Sequence, residues 1–183
     1  MAFSKFDRST QATGKEMREY IKFLLWQYRL VDAFWFLETE KAFNLEVAEK
    51  LNEAVWSTLG THMARDIKQR FKISMKGIDA VLEALSYNPW ATITKYVVHK
   101  EEYKTTLSIP SCPPQIARQK HGKNEFLCKN MHQKFFTNFA KEIDERVEVK
   151  CLFAPPDPHP RELWCKWEFF YATSSGTSRK HKK

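Results

Sequence analysis

Four cysteines are the side chains of this chain best suited to chemistry, and all of them lie in its second half. They are Cys112, Cys128, Cys151 and Cys165. Thiolates bind zinc and are strong nucleophiles, so the group predicts either a metal site or a reactive thiol. The chain starts without an apolar signal segment, which indicates a reducing cytoplasm, where cysteines are thiols or metal ligands rather than disulfides.

Two of the cysteines lie on a predicted β-hairpin near the end of the chain. Residues 146–153 and 162–170 alternate in polarity as half-buried strands do, and a proline-rich connector joins them. If the connector is symmetric about Pro158, Cys151 faces Cys165 directly. Their Cβ atoms would then lie about 4.5–5.5 Å apart, which suits two ligands of one metal ion.

These residues and one carboxylate predict a structural zinc site with one ion per chain. Cys128, Glu148, Cys151 and Cys165 form the order Cys…Glu-x-x-Cys…Cys, and four thiolate or carboxylate ligands fill a tetrahedron. Such a site would tie the helix that begins near residue 128 to the last hairpin. It would contribute on the order of 10 kcal/mol to folding.

The sequence alone leaves the identity of the fourth zinc ligand open. Positions three apart in a flat strand point to opposite faces, so Glu148 joins Cys151 only if the strand bends or bulges. Three other side chains could take its place: Cys112, His121 and His132. The alternative to any metal is that the cysteines are small buried hydrophobic residues.

The same order of residues, over roughly residues 110–170, resembles the 4-vinyl reductase type domain, a small-molecule-binding module. The resemblance implies zinc held by Cys128, Glu148, Cys151 and Cys165, and a small organic ligand bound elsewhere in the domain. The chain departs from that family in its longer, proline-rich connector and in MHQKFFTNFA, which replaces a glycine-rich segment.

A second resemblance implies an enzyme. The segments CPPQIAR, FLCK and CLFAPPDP are similar to an uncharacterised prokaryotic family that is itself similar to thiazoline-carboxylate hydrolases, which open a cyclic amidine. A hydrolase of cyclic amidines or amides would use Cys112 as nucleophile, activated by a base such as His121. It could instead use a zinc ion left with an open position.

Polar residues inside apolar helical stripes supply candidates for contacts with the ligand. Asp32 lies in the most apolar stretch, close to Trp35, and would contact a ligand or form an ion pair within its helix. His62 has Asp66 one turn away, a spacing that suits a general base as well as an ordinary core histidine. Arg118 could bind a carboxylate or form a surface salt bridge.

The elements that position these residues predict an α+β fold. Helices are expected over residues 14–41, 45–72 and from Ser74 to Asn88, followed by a β-hairpin whose first strand is 92–100. A short helix, a helix over 128–144 and the cysteine-rich hairpin come next, and the buried stripe of the second of these helices is Met131, Phe135, Phe139 and Ile143. The first helix is apolar on nearly every face, so it is expected to be central and covered from several sides. The helical half, 14–88, should pack on a small antiparallel sheet.

We expect a single domain over residues 1–173, with the β-hairpins and the metal site in 90–170. The net charge of +8 indicates nucleic-acid binding only weakly, because four of the basic residues lie in a tail, 174–183, with the composition of a disordered terminus. No apolar run is long enough to span a membrane.

The sequence therefore favours a cytoplasmic, zinc-containing domain that binds a small aromatic or carboxylate-bearing ligand in an apolar pocket. The candidate pocket residues are Asp32, Trp35, His62 and Arg118. The alternatives are the hydrolase, with Cys112, His121 or His62 as catalytic groups, and a nucleic-acid-associated zinc protein. An aromatic surface on the N-terminal helices would favour a homodimer.

Overall fold

The computed structural model describes residues 13–171, which form two compact units, one ending at Ala48 and the other beginning at Glu49. The tail at 174–183 lies outside the described residues. Helices and strands follow each other in the α+β order that the sequence predicts. The helices are α1 (Gly14–Ala42), α2 (Leu45–Arg70), α3 (Ile78–Ser86), α4 (Pro89–Thr94), α5 (Pro113–Lys120) and α6 (Lys129–Ile143). The strands are β1 (Val97–Lys100), β2 (Lys104–Ile109), β3 (Val147–Phe153) and β4 (Cys165–Tyr171).

The four strands form one antiparallel sheet in the order β1-β2-β4-β3. Both predicted hairpins are present, and β2 and β4 pair to join them. Burial alternates along β4, where Cys165, Trp167 and Phe169 are buried on one face. The sheet thus has one face in the core and one nearer to solvent, as the alternating polarity predicted.

The register of the second hairpin differs from the symmetric prediction. Cys151 pairs with Trp167, and Cys165 pairs with Ile109 of β2. The connector is longer than expected, because Leu163 turns back to bond the carbonyl of Pro160 and does not enter the strand. A register shift after Cys151 adds a β-bulge. Cys151 and Cys165 are therefore diagonal neighbours in the sheet rather than direct partners.

Helix α6 packs against the inner face of the sheet and supplies three buried aromatic side chains to the core. The predicted stripe of Met131, Phe135, Phe139 and Ile143 is buried. Phe136, on the same helix, contacts Trp167 of β4, with ring centroids 5.2 Å apart.

Helix α2, from Glu49 onward, packs along α6 at close range. A Cβ at Gly60 would lie 2.7 Å from the carbonyl oxygen of Phe135, so glycine permits this approach. Asn138 donates to the carbonyl of Ser57 at 2.9 Å. The backbones of the two helices therefore approach each other closely, and hydrogen bonds join the helices in addition to apolar packing.

Helix α1 does not have the central position that its composition predicted. A Thr13–Glu16 capping box begins it, but none of its residues is buried. Trp35 is 74% exposed. From residue 13 onward, its unit consists of α1 and the first residues of α2, which are too few to cover a helix of 29 residues.

None of the helices in the described part of the chain is long and apolar enough to span a membrane.

Candidate functional site

Three of the four cysteines lie where a helix or strand begins, and the fourth lies within a strand. Cys112 is the N-cap of α5, and Cys128 is the N-cap of α6. Cys165 opens β4, and Cys151 lies in β3. Cys128 and Cys165 are buried, whereas Cys112 and Cys151 are partly exposed.

All four are free thiols held in the neutral form by burial. Burial raises the pKa of Cys112 and of Cys151 to about 11. It also raises the pKa of Cys165 to about 12 and that of Cys128 well above its usual range. A thiolate is costly in such surroundings, so these groups are poor nucleophiles at neutral pH.

A buried glutamine organises the surroundings of Cys128. The side-chain amide of Gln115, which is fully buried, donates to the carbonyl of Phe126 at 2.9 Å and accepts from its N–H at 3.2 Å. The same amide lies 3.5 Å from the sulfur of Cys128. Gln115 therefore fixes the segment before α6, a role for which the sequence shows no periodic signal.

The metal-binding group that the sequence predicted is not present among the described residues. Over residues 13–171, no group of three or more His, Cys, Asp or Glu side chains could hold a metal ion. Val147 and Val149 are on the buried face of β3, so Glu148 between them points to the other face, away from Cys151. The register makes Cys151 and Cys165 diagonal neighbours rather than direct partners, and the predicted set of Cys128, Glu148, Cys151 and Cys165 does not form a metal-binding group.

The hydrolase prediction is corrected as well. Cys112 and His121 cap opposite ends of α5, so the helix separates them by about 13 Å at 1.5 Å per residue. His121 therefore cannot act as the base for the Cys112 thiol, whose raised pKa keeps it protonated. No metal site is available among the described residues to supply the alternative mechanism.

His132, the third alternative ligand, is partly buried and packs against the aromatic core instead. Its ring packs against Phe136 and Trp167, and Nδ1 lies 3.2 Å from the carbonyl oxygen of Cys128. Burial lowers its pKa to about 4. His132 is therefore a neutral imidazole that fastens the first turn of α6.

The predicted pocket residues of the second unit have other partners. His62 is exposed on α2, and Asp66 pairs with Arg70 at 2.9 Å. Arg118 is 7% exposed, and its Nε donates to the carbonyl of Asn124 at 2.7 Å. Arg118 thus holds the loop after α5.

In the first unit, the predicted pocket residues do not lie in a buried stripe. Asp32 is only partly buried on α1, and Trp35 projects from the same helix with most of its surface exposed.

An apolar groove lies between α3, α4, β1 and β2 and has a volume of about 220 Å³. Its walls include Leu82, Leu85, Ala91, Val98 and Leu107. The sequence predicted a strand from residue 92 onward, but Asn88 caps a short helix by accepting from the N–H of Trp90 at 3.0 Å. Because α4 replaces the start of that strand, it forms a wall of the groove.

The rim of the groove carries a cation. Lys95 ends α4 in the left-handed conformation, with φ 55°, and its N–H bonds the carbonyl of Ala91 at 3.1 Å. The lysine lines the groove and is exposed. Its ammonium makes no ion pair with the residues that the structure describes. An apolar groove with one such cation can accept a small ligand that carries both a ring and a negative charge.

Comparisons with known proteins identify a family and a distant structural neighbour. The model of DUF6125, a family of unknown function, matches residues 15–171. No curated protein matches the chain. The solved structure of a trafficking protein particle complex subunit 3 from Naegleria fowleri, covalently bound to palmitic acid, is similar with a TM-score of 0.49 and 8% sequence identity. The similarity covers 85% of this chain and 97% of that chain.

Proposed function

This chain belongs to DUF6125, a family of unknown function, and we propose that it binds a small single-ring carboxylate in the groove between α3, α4, β1 and β2. The observation that carries the proposal is the combination of apolar walls with a cation at the rim, Lys95. The proposal retains the small organic ligand expected from the sequence and moves its site away from Asp32, Trp35, His62 and Arg118.

The size of the groove supports a ligand of one ring. An apolar cavity of about 150 Å³ is known to hold benzene, so 220 Å³ leaves room for a ring with a carboxylate. The walls formed by Leu82, Leu85 and Leu107 offer hydrophobic contact to the ring. Larger ligands, such as nucleotides, would extend beyond these walls.

The charge at the rim supports an anionic ligand over a neutral one. The ammonium of Lys95 can approach a carboxylate while the ring stays against Ala91 and Val98. Because the lysine is exposed, this ion pair contributes up to about 1 kcal/mol, which is about fivefold in affinity. Selectivity for the anion should therefore be measurable but modest.

Benzoate is a suitable probe, with benzyl alcohol as the uncharged control of the same size. A ligand of nine heavy atoms is expected to bind with a dissociation constant on the order of 1 mM, so titration is followed by two-dimensional ¹H–¹⁵N spectra. Benzoate should shift the amide signals of Ala91 and Val98, and benzyl alcohol should shift them at higher concentration. Shifts scattered over the whole protein, or none at 10-fold this concentration, would contradict the proposal.

Three variants locate the site. Ala91→Leu fills the groove and should abolish the benzoate shifts. Lys95→Gln should weaken benzoate by about threefold to fivefold and leave benzyl alcohol unchanged. Lys72→Gln is the matched control, since Lys72 is also exposed and also left-handed, with φ 56°. Equal effects of the two lysine variants would argue against Lys95 as the ligand contact.

The proposal includes a homodimer. Its support is separate from the groove and comes from α1, whose side chains Trp26, Phe34 and Trp35 are each at least half exposed. Exposed apolar surface of this extent marks an interaction site in soluble proteins. The mass of the full chain in solution tests this part, with twice the 21.7 kDa of one chain expected.

A further inference from the structure

Helix α1 carries an apolar stripe with the spacing of a coiled coil. Ile21, Leu24, Tyr28, Val31 and Trp35 are separated by alternating steps of three and four residues. This is the a/d pattern of a heptad repeat, which keeps one side of a helix facing a partner helix. Four of these five side chains are between 46% and 74% exposed, and Tyr28 is partly buried.

From this pattern we infer that α1 pairs with α1 of a second copy of this chain, in antiparallel orientation, through the heptad stripe formed by these five residues. The inference rests on the homodimer proposed above and specifies its interface. It does not depend on the ligand groove.

The heptad stripe is itself the exposed apolar surface that a partner helix would cover. Ile21, Leu24 and Val31 are 50%, 46% and 58% exposed, and Trp35 is 74% exposed. Because a full aromatic side chain presents about 150–250 Å², Trp35 alone contributes roughly 110–185 Å² to this surface. The stripe is therefore apolar and accessible along about four turns of α1.

A second copy supplies the matching surface without any other partner. A two-fold axis brings the same stripe from both chains together, so each apolar side chain meets another of the same stripe. Aligning Ile21 with Val31 and Leu24 with Tyr28 pairs a positions with d positions along the helix, as antiparallel coiled coils require.

The distribution of charge along α1 favours the antiparallel orientation. Residues 14–30 contain four basic and two acidic side chains, whereas residues 31–42 contain three acidic and one basic side chain. An antiparallel pair therefore places a basic half against an acidic half and opposes the helix dipoles. A parallel pair would place like charges together. In the alignment given above, Lys15 of one copy lies beside Glu38 of the other.

The interface is tested by sedimentation equilibrium of the full chain over a concentration series. Val31→Glu places a charge in the stripe and should raise the dissociation constant of the dimer by about a hundredfold. Phe23→Glu is the control, because Phe23 is 53% exposed on α1 but lies outside the heptad stripe, and it should change the constant by less than about fivefold. Since both positions are exposed, circular dichroism and the melting temperature verify that each variant folds.

These measurements test the heptad interface and the existence of a homodimer independently. A wild-type chain that stays monomeric overturns both. A wild-type dimer that Val31→Glu leaves intact, or that Phe23→Glu weakens equally, overturns the heptad interface and leaves the homodimer standing.

The orientation is tested by zero-length cross-linking with a carbodiimide in mixed dimers of ¹⁴N and ¹⁵N chains. An antiparallel pair should yield cross-links between Lys15 of one isotope and Glu38 or Glu40 of the other. Within one chain these residues are about 35 Å apart along the helix, so they cannot react with each other. Amine-to-amine cross-links that join Lys15 to Lys15 between the isotopes would instead show a parallel pair and overturn the antiparallel inference.

Discussion

The side-chain amide of Gln133 takes the place of a neighbouring strand beside Cys151. Its Oε1 accepts the backbone N–H of Cys151 at 3.1 Å, and its Nε2 donates to the carbonyl of Val149 at 2.8 Å. These two backbone groups lie on the edge of β3 that does not pair with β4. Unpaired edges invite association with other chains, so Gln133 both joins α6 to the sheet and closes part of this edge.

Replacing Gln133 should therefore weaken the protein and open the edge. We expect Gln133→Ala to lower the free energy of unfolding by about 1–3 kcal/mol, because two partly buried backbone groups lose their partners. Chemical denaturation measures this loss. Hydrogen exchange at the amide of Cys151 should become faster, whereas exchange at Phe139 in the core helix should follow only the global stability.

The matched variant Gln133→Glu separates the two hydrogen bonds. Glutamate can accept from the N–H of Cys151 but cannot donate to the carbonyl of Val149. We expect an intermediate stability at neutral pH and slow exchange at Cys151. Fast exchange at Cys151 in this variant would show that the observed bond does not protect the edge.

The stability of the protein should fall as the pH is lowered from 6.5 to 4, because of His132. Burial lowers the pKa of His132 from 6.5 to about 4, so in this window the unfolded chain binds a proton that the folded chain does not. The free energy of unfolding should decrease by about 3 kcal/mol between these limits. The pKa is also lowered for three carboxyl groups, Asp144, Glu142 and Asp157, and their contribution is lost on protonation below about pH 4.5.

Denaturant titrations at half-unit pH steps test the role of His132. His132→Phe should remove most of the slope between pH 6.5 and 4.5. His62→Phe, at an exposed position on α2, is the control that leaves His132 in place. If the free energy of unfolding of His132→Phe still falls with pH as it does in the wild type, groups other than His132 cause the pH dependence.

Gly60→Ala should destabilise the protein, although alanine is the better helix former. The gain in helix propensity is up to about 1 kcal/mol. The added Cβ, however, would lie 2.7 Å from the carbonyl oxygen of Phe135, so α2 must move away from α6 at a cost of about 1–3 kcal/mol. Thermal melting should therefore show a lower midpoint. Gly14→Ala, where the nearest atom is the end of the flexible Arg18 side chain, is the control.

The thiols should react slowly with iodoacetamide in the folded protein. At pH 8, a pKa near 11 leaves Cys112 and Cys151 with about a hundredfold less thiolate than an ordinary cysteine. Mass spectrometry of the alkylated peptides gives the rate at each position. The rates for these two residues should rise about tenfold per pH unit from pH 7 to 10. A plateau below pH 9 would mean that the thiols ionise more easily than their burial implies.

Cys128 and Cys165 should react only when the protein unfolds. They are 2% and 4% exposed, so reagent cannot reach the sulfur atoms in the folded state. In denaturant, all four cysteines should react at the same rate. Alkylation of Cys128 in the native protein at the rate of Cys112 would contradict the packing described for Gln115 and Phe126.

Local patterns in the sequence determined the class of fold. The stripe of Met131, Phe135, Phe139 and Ile143 repeats with the period of a helix, and the polarity of both hairpins alternates with the period of a strand. These signals depend on neighbours a few residues away, so they can be recognised before any tertiary contact is known. They led correctly to an α+β fold with an antiparallel sheet.

The candidate site depended on contacts between distant segments, which periodicity does not contain. A β-bulge and the turn at Leu163 set the register, so Cys151 and Cys165 are not direct partners. The burial of the two valines beside Glu148 shows which face of the strand Glu148 lies on. The groove exists because Asn88 caps α4 where strand propensity predicted an extended chain. The composition predicted that α1 is apolar, but it did not predict what covers the helix. A hydrophobic side chain can be buried equally well against its own chain or against a second copy.

The sequence by itself therefore determined the elements and their order. Only the tertiary structure decided which side chains meet, because strand register, helix packing and burial are set by residues far apart in the chain.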